Sequence, residues 1–296
     1  MVSGPWTTRP VKLIHRLRHV AAGALGALAG LMLTAHAGAQ CPAPDKTVYL
    51  TFDTGHMGVA PLIAEVLRKH DVKVTFFAAH ERTQSGDGSL GQAWSAWWKE
   101  RAAEGHAFAS HSYSHAYWAG DLPERAGQRQ FRIRPTGGGL QGQTLNWSAG
   151  EYCEDLHRAS RRLLELTGQT PLPLFRAPGG KTSPALIKAA QSCGYAHVGW
   201  ASAGFLGDEL PSDKFPNDKL LSQALSQIRG GEVLVAHLGI WSRQDPWAPA
   251  VLEPLIVGLK RKGLCFATLR EYPHHRRCID AQGGLRLQGR LQEGRS

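Results

Sequence analysis

Five side chains in this sequence are of types that do chemistry: Asp53, His111, His115, Arg176 and His237. The run His111-Ser112-Tyr113-Ser114-His115 puts two imidazoles four residues apart. On one helical turn they would share a face, close enough to hold one divalent ion. Each residue also has an ordinary role open to it. Asp53 could cap a helix, the paired histidines could be polar loop residues, Arg176 could sit in a surface ion pair and His237 in the core. Where the chain places them decides between these.

Asp53 ends the run Val48-Tyr49-Leu50-Thr51-Phe52, a β-branched and aromatic stretch with the composition of a buried strand, broken by Thr54-Gly55-His56-Met57-Gly58. From Thr47 onward, short apolar runs alternate with helical patterns. Strands are predicted over 47–52, 73–78, 107–110, 172–176, 196–200, 232–237 and 264–268. Helices are predicted over 61–70, 94–104, 149–167, from Ser183-Pro184 toward Cys193, 218–228 and 248–261. The first of these carries Leu62, Ile63, Val66 and Leu67 on one face. Gly168 is placed to close the helix over 149–167, and Ser183 to cap the next with a proline in its first turn. About seven such alternations predict an α/β fold, a distorted (β/α) barrel. Asp53, His111, Arg176, Trp200 and His237 then all fall at the C-terminal ends of strands, the rim on which barrels build their sites. Residues 117–148, with Gly137-Gly138-Gly139, have no clean period and read as a long functional loop or lid.

Four segments carry a family resemblance: Thr51-Phe52-Asp53-Thr54-Gly55, His111-Ser112-Tyr113-Ser114-His115, Arg176-Ala177-Pro178-Gly179-Gly180 and Val235-Ala236-His237. In order and spacing they resemble the NodB-like polysaccharide deacetylases, carbohydrate esterase family four, over about residues 45–269. The resemblance implies a hydrolase that cleaves the C–N bond of an acetamide on an N-acetylated polysaccharide or cell-wall glycan, using a divalent metal, zinc foremost. It makes Asp53 the general base toward a water held by the metal, Arg176 the cation that orients Asp53 and keeps it ionised, Gly179 the backbone N–H donor to the oxyanion, and His237 the general acid. It makes His111 and His115 metal ligands.

The sequence departs from that pattern at two places. The family's first motif carries a second aspartate that ligates the metal; here it is Thr54, a neutral and poorer ligand. His56 is the best-placed residue to compensate, against its reading as a solvent-facing loop histidine. Family members also carry an aspartate three residues after the tryptophan of the fourth motif. Trp200 is present, but that place holds Ala203, so Asp208 or Asp213 would have to brace His237. Val235 conservatively replaces a leucine that lines the acetyl pocket.

The rest of the composition frames the setting. Arg9, Lys12, Arg16 and Arg18, an apolar run over 20–33 too short for a comfortable membrane span, and Ala35-His36-Ala37-Gly38-Ala39 read as a secretory signal over 1–39. An uncleaved anchor is the alternative. Cleavage would remove four basic and no acidic residues, taking the formal charge from +10 to +6. A mildly basic exported protein suits anionic envelope polymers, and no nucleic-acid module is recognisable. The deacetylase domain is expected over 40–272 and a basic, disordered tail over 273–296. Five cysteines in an exported chain make disulfides possible and leave at least one unpaired; the sequence fixes neither the pairing nor the oligomeric state. Of nine tryptophans, Trp118, Trp147, Trp241 and Trp247 fall in predicted rim loops. Trp241 and Trp247, close behind His237, are the candidates for stacking on sugar rings. Two further functions stay open: the same chemistry on a smaller amide, if residues 117–148 close the cleft, and carbohydrate binding without turnover. Retention of Asp53, Arg176 and His237 weighs against the last.

Overall fold

The computed structural model describes residues 41, 43–277 and 279–280; the expected signal segment lies outside them. In chain order the elements are β1 (Thr47–Asp53), α1 (Ala60–Lys69), β2 (Thr75–Ala78), α2 (Ser95–Ala103), β3 (Ala107–Ser110), β4 (Ala116–Arg125), β5 (Gln128–Pro135), β6 (Leu145–Ser148), α3 (Ala149–Thr167), β7 (Leu174–Phe175), α4 (Pro184–Ser192), β8 (Ala196–His197), α5 (Asn217–Gln227), β9 (Val233–His237), α6 (Leu252–Arg261) and β10 (Cys265–Phe266).

All seven residues of β1 are buried, as befits a strand covered on both faces. It is the hinge of a seven-stranded parallel sheet with the order β10, β1, β2, β3, β7, β8, and with β9 also paired to β1. The irregular chain after β8 reaches back to β9 through Ala201 N–H to Val233 O and a bridge between Phe205 and Val235, curling the sheet into the expected distorted barrel. Register places Asp53 beside Phe77 on one side and His237 on the other.

The helices close this curl by burying one stripe each. In α1 the buried residues are Ala60, Ile63, Ala64, Val66 and Leu67; Leu62, expected with them, is 41% exposed. Phe76 sits among Phe52, Trp97, Trp98, Phe108 and His106 in edge and stacked contacts. Helix α3 opens on a capping box between Ser148 and Glu151 and stops at Gly168 in the left-handed region, as the sequence predicts.

Residues 117–148 are not a structureless loop. They contain most of an antiparallel sheet, β4-β5-β6. Strand β5 alternates, with Phe131 and Ile133 buried between outward Arg132 and Arg134, and they pack on Tyr152, Leu156 and Leu186. Two inward apolar residues were too few to reveal the period. The turn between β4 and β5 is Ala126-Gly127, both at positive φ (51° and 74°), without the Asn-Gly pair that usually announces such a hairpin. Ser183 fastens this sheet to α4: its Oγ accepts from Leu186 N–H and donates to Asp121 of β4. Disulfides join Cys41 to Cys265 and Cys153 to Cys193; the fifth cysteine, residue 278, lies outside the described residues. Of the expected tail, Pro273–His275 form a 3-10 turn beside Tyr272, whose ring meets Tyr49 edge-on, and residues 281–296 are not described.

Candidate active site

Asp53 and Arg176 form the floor of the site. Both are buried, and an Arg176 Nη1–Asp53 Oδ1 bond of 2.6 Å joins the ends of β1 and β7. The guanidinium is fixed on its other sides, donating to Thr51 Oγ1 (2.9 Å), Val198 O (3.1 Å) and Gly199 O (3.2 Å), and it lies over the Phe77 ring. A planar donor with this many fixed acceptors holds one orientation. Burial opposes ionisation of Asp53. The Arg176 charge, followed by His111 and His237, overcomes it and keeps the carboxyl below its usual range.

The two imidazoles follow on a turn, not on a helix. Ser112 and His115 both adopt positive φ (57° and 47°), so the chain folds tightly and the rings come to 4.9 Å. Asp155 of α3 holds the turn, accepting from Ser114 N–H (3.0 Å) and Ser114 Oγ (2.7 Å), while Tyr113 N–H donates to the Asp155 carbonyl. His111 Nδ1 lies 2.9 Å from the Arg176 carbonyl. A carbonyl only accepts, so Nδ1 carries the proton and Nε2 presents its lone pair, 3.5 Å from Asp53 Oδ2. Burial pushes the His111 pKa down to about 4, keeping the ring neutral. His115 Nδ1 bonds Thr136 Oγ1 and lies 3.7 Å from Glu81 Oε1.

Thr54 does not line this cleft. Its hydroxyl accepts from Ala79 N–H (3.0 Å) and donates to Glu81 Oε2 (2.5 Å). His56 is buried instead of solvent-facing; its Nδ1 accepts from Gly58 N–H (2.9 Å), its ring meets Trp241, and it lines a neighbouring pocket.

His237 closes the site from β9. Of the two aspartates expected to brace it, Asp208 does so: its oxygens lie 3.1 and 3.2 Å from Nδ1, and one accepts the His237 backbone N–H at 2.6 Å. Asp213 lines a separate surface depression. Burial works against the imidazolium, but Asp208 outweighs it and raises the pKa to about 9.

These residues share one cleft of about 320 Å³, lined by Asp53, Glu81, His111, His115, Gly179, Trp200 and His237 among others. Gly179 is at φ +62°, and a Cβ there would lie 2.5 Å from the Tyr117 ring, so only glycine fits. Trp241 stands on the rim, 60% exposed. Trp247 does not join it: at 3% exposure it belongs to the core. Trp118 and Trp147 pack, partly buried, on the second apolar cluster under the antiparallel sheet.

The resemblance calls for a divalent metal, and the donors here suit one in kind. Two imidazoles face one cleft, one of them neutral with its Nε2 lone pair directed inward. Among the described residues, no three His, Cys, Asp or Glu side chains already stand as a metal cluster. Sequence reasoning missed Glu81, Asp155 and Thr136. Glu81 had a signal, a carboxylate three residues past a predicted strand on the same rim, but the Gly- and Ser-rich stretch around it concealed it. Asp155 sits inside a regular helical pattern and gave none.

The family described as polysaccharide deacetylase matches residues 40–198. The peptidoglycan-N-acetylmuramic acid deacetylase PdaA of Bacillus subtilis is 25% identical over 226 residues, 76% of this chain and 70% of that protein. Among solved structures, a family 4 acetyl xylan esterase from Clostridium thermocellum, in complex with a cobalt ion, has the same fold with a TM-score of 0.58. It is 22% identical and covers 77% of this chain and 90% of its own. A CE4 family pseudoenzyme from Bacillus anthracis shares the fold at a TM-score of 0.54 and 20% identity, over 78% of this chain and 66% of its own.

Proposed function

Because the chain belongs to the polysaccharide deacetylase family, we propose that it is an exported, metal-dependent hydrolase that removes acetyl groups from an N-acetylated polysaccharide or cell-wall glycan. The observation that carries this reading is the pairing of Asp53 with His237. They are register neighbours on adjacent strands, one held ionised by Arg176 and the other held protonated by Asp208. A base and an acid with opposed protonation at neutral pH are what amide hydrolysis by water requires.

Asp53 takes a proton from the attacking water as its oxygen adds to the acetamide carbonyl carbon. Gly179 offers its backbone N–H to the oxyanion. His237 gives its proton to the nitrogen as the C–N bond breaks, leaving acetate and a free amine. A divalent metal held by His111 and His115 would polarise the water and the carbonyl. Trp241 is exposed with the Arg82 guanidinium over one face of its ring, and its open side offers a flat surface for a sugar ring. The likeness to PdaA, a peptidoglycan deacetylase, the disulfides and a formal charge of +6 after cleavage favour a cell-envelope polymer as substrate and an oxidising compartment as location.

Purified protein should release acetate from N-acetylglucosamine oligomers or peptidoglycan only with zinc or cobalt present. Asp53→Ala and His237→Ala should each lower the rate by at least about 100-fold. Sugar binding without acetate release would sink the reading.

A further inference from the structure

The Thr54 departure removes the anionic metal ligand that the resemblance implies, and the structure offers a carboxylate in its place. We propose that Glu81 is a ligand of the metal held by His111 and His115, and that Thr54 is the residue that aims it. The proposal rests on the deacetylase reading above and names the ligand that this reading leaves open.

Charge makes the case first. Asp53 is neutralised by Arg176, and Asp208 by His237, so neither pair leaves an anion for a dication. His111 is neutral. The other carboxylates lining the cleft are Glu81 and Glu209, and Glu209 is exposed on the loop that carries Asp208. Glu81 is the one next to the histidines.

Geometry agrees. Glu81 Oε2 is occupied by the Thr54 hydroxyl at 2.5 Å. Oε1 faces His115 Nδ1 at 3.7 Å, beyond hydrogen-bond reach. Thr136 holds that Nδ1, which leaves His115 Nε2 for the ion, and Glu81 Oε1 stands beside the same ring inside the cleft.

The segment bearing Glu81 is also tied to the histidine turn. Glu81 N–H donates to Ser89 Oγ (2.9 Å), Ser89 N–H donates to the Glu81 carbonyl (2.8 Å), and His80 N–H donates to the Tyr113 carbonyl (2.7 Å). A side chain held at its base by two main-chain bonds and at its tip by Thr54 is placed as ligands are placed. His56, the alternative from sequence, faces the neighbouring pocket.

The test is metal affinity of stripped protein, measured by competition with a chromophoric chelator for zinc, together with the visible absorption of the cobalt-loaded protein. Wild type should bind one ion per chain. Loss of an outer contact costs about 10–100-fold in affinity, so Glu81→Gln should weaken zinc binding at least about 100-fold. It should also change the cobalt spectrum, and Thr54→Asp added to Glu81→Gln should restore affinity to within about tenfold of wild type. If Glu81→Gln does not fold, Glu81→Asp, which keeps the charge on a shorter arm, should weaken binding with the same spectral change. An unchanged cobalt spectrum in the folded variant, whatever the affinity, overturns Glu81 as a ligand. If His115→Ala still weakens binding in that case, the deacetylase reading stands. Wild-type protein that takes up neither zinc nor cobalt sinks both.

Discussion

His237 is placed where burial alone would discharge it, and Asp208 keeps it charged up to about pH 9. A raised folded pKa means that the pairing stabilises the fold fully below the unfolded value of about 6.5 and that this contribution is lost as pH rises through about 9. The same proton is the one the leaving amine needs. Acetate release should therefore hold through neutrality and fall on an alkaline limb near pH 9, and Asp208→Asn should move that limb down toward 6.5 in a pH–rate profile. Arg176→Met should act differently. It strands the buried Asp53 charge, which should cost about 3–5 kcal/mol in urea unfolding as well as activity. Arg176→Lys should not rescue, since one ammonium cannot reach acceptors on Asp53, Thr51, Val198 and Gly199 together. Asp53, Arg176 and His237 were legible because each ends a strand whose apolar run is visible in the sequence. Asp208 was legible only as one of two aspartates in a loop, since loop geometry, not spacing, decides which of them reaches the imidazole.

At the scale of elements, the turn carrying His111 and His115 depends on helix α3, which holds its backbone and Ser114. Ser112 and His115 sit in the left-handed region, which costs a non-glycine residue about 1–2 kcal/mol each. Asp155 of α3 offsets this by accepting from both the N–H and the hydroxyl of Ser114. Asp155→Ala should lower unfolding free energy by about 2–3 kcal/mol and weaken zinc binding, even though the histidines are intact. A variant that loses stability but keeps wild-type metal affinity would show that the turn holds its shape unaided. Helix α3 itself could be bounded from sequence, because Ser148 and Gly168 mark its ends with chemistry that is local. The sheet β4-β5-β6 could not. Its inner face is completed by Tyr152, Leu156 and Leu186 from elements later in the chain, so its own residues show too little apolar alternation to betray it.

At the scale of the whole molecule, the two disulfides close loops of very different length. Cys41–Cys265 ties the chain just before β1 to the last strand across 224 residues, and Cys153–Cys193 ties α3 to the end of α4 across 40. The sequence supplied five cysteines and no pairing, because pairing is a property of the folded barrel that brings residue 41 alongside β10. If each bond acts by restricting the unfolded chain, loop closure contributes about 5 kcal/mol for the longer link and about 4 kcal/mol for the shorter. Cys41→Ser/Cys265→Ser should then destabilise at least as much as Cys153→Ser/Cys193→Ser in urea unfolding at neutral pH. Both should raise the urea m value, because the released chain exposes more surface. Activity below the transition should survive the first pair of substitutions, which lies at the opposite end of β1 from Asp53. The second pair should lower activity further, since Cys153 is two residues from Asp155 and anchors the helical turn that holds the histidines. Equal loss of activity from both, with m unchanged, would mean that the bonds act on the native barrel and not on the unfolded chain.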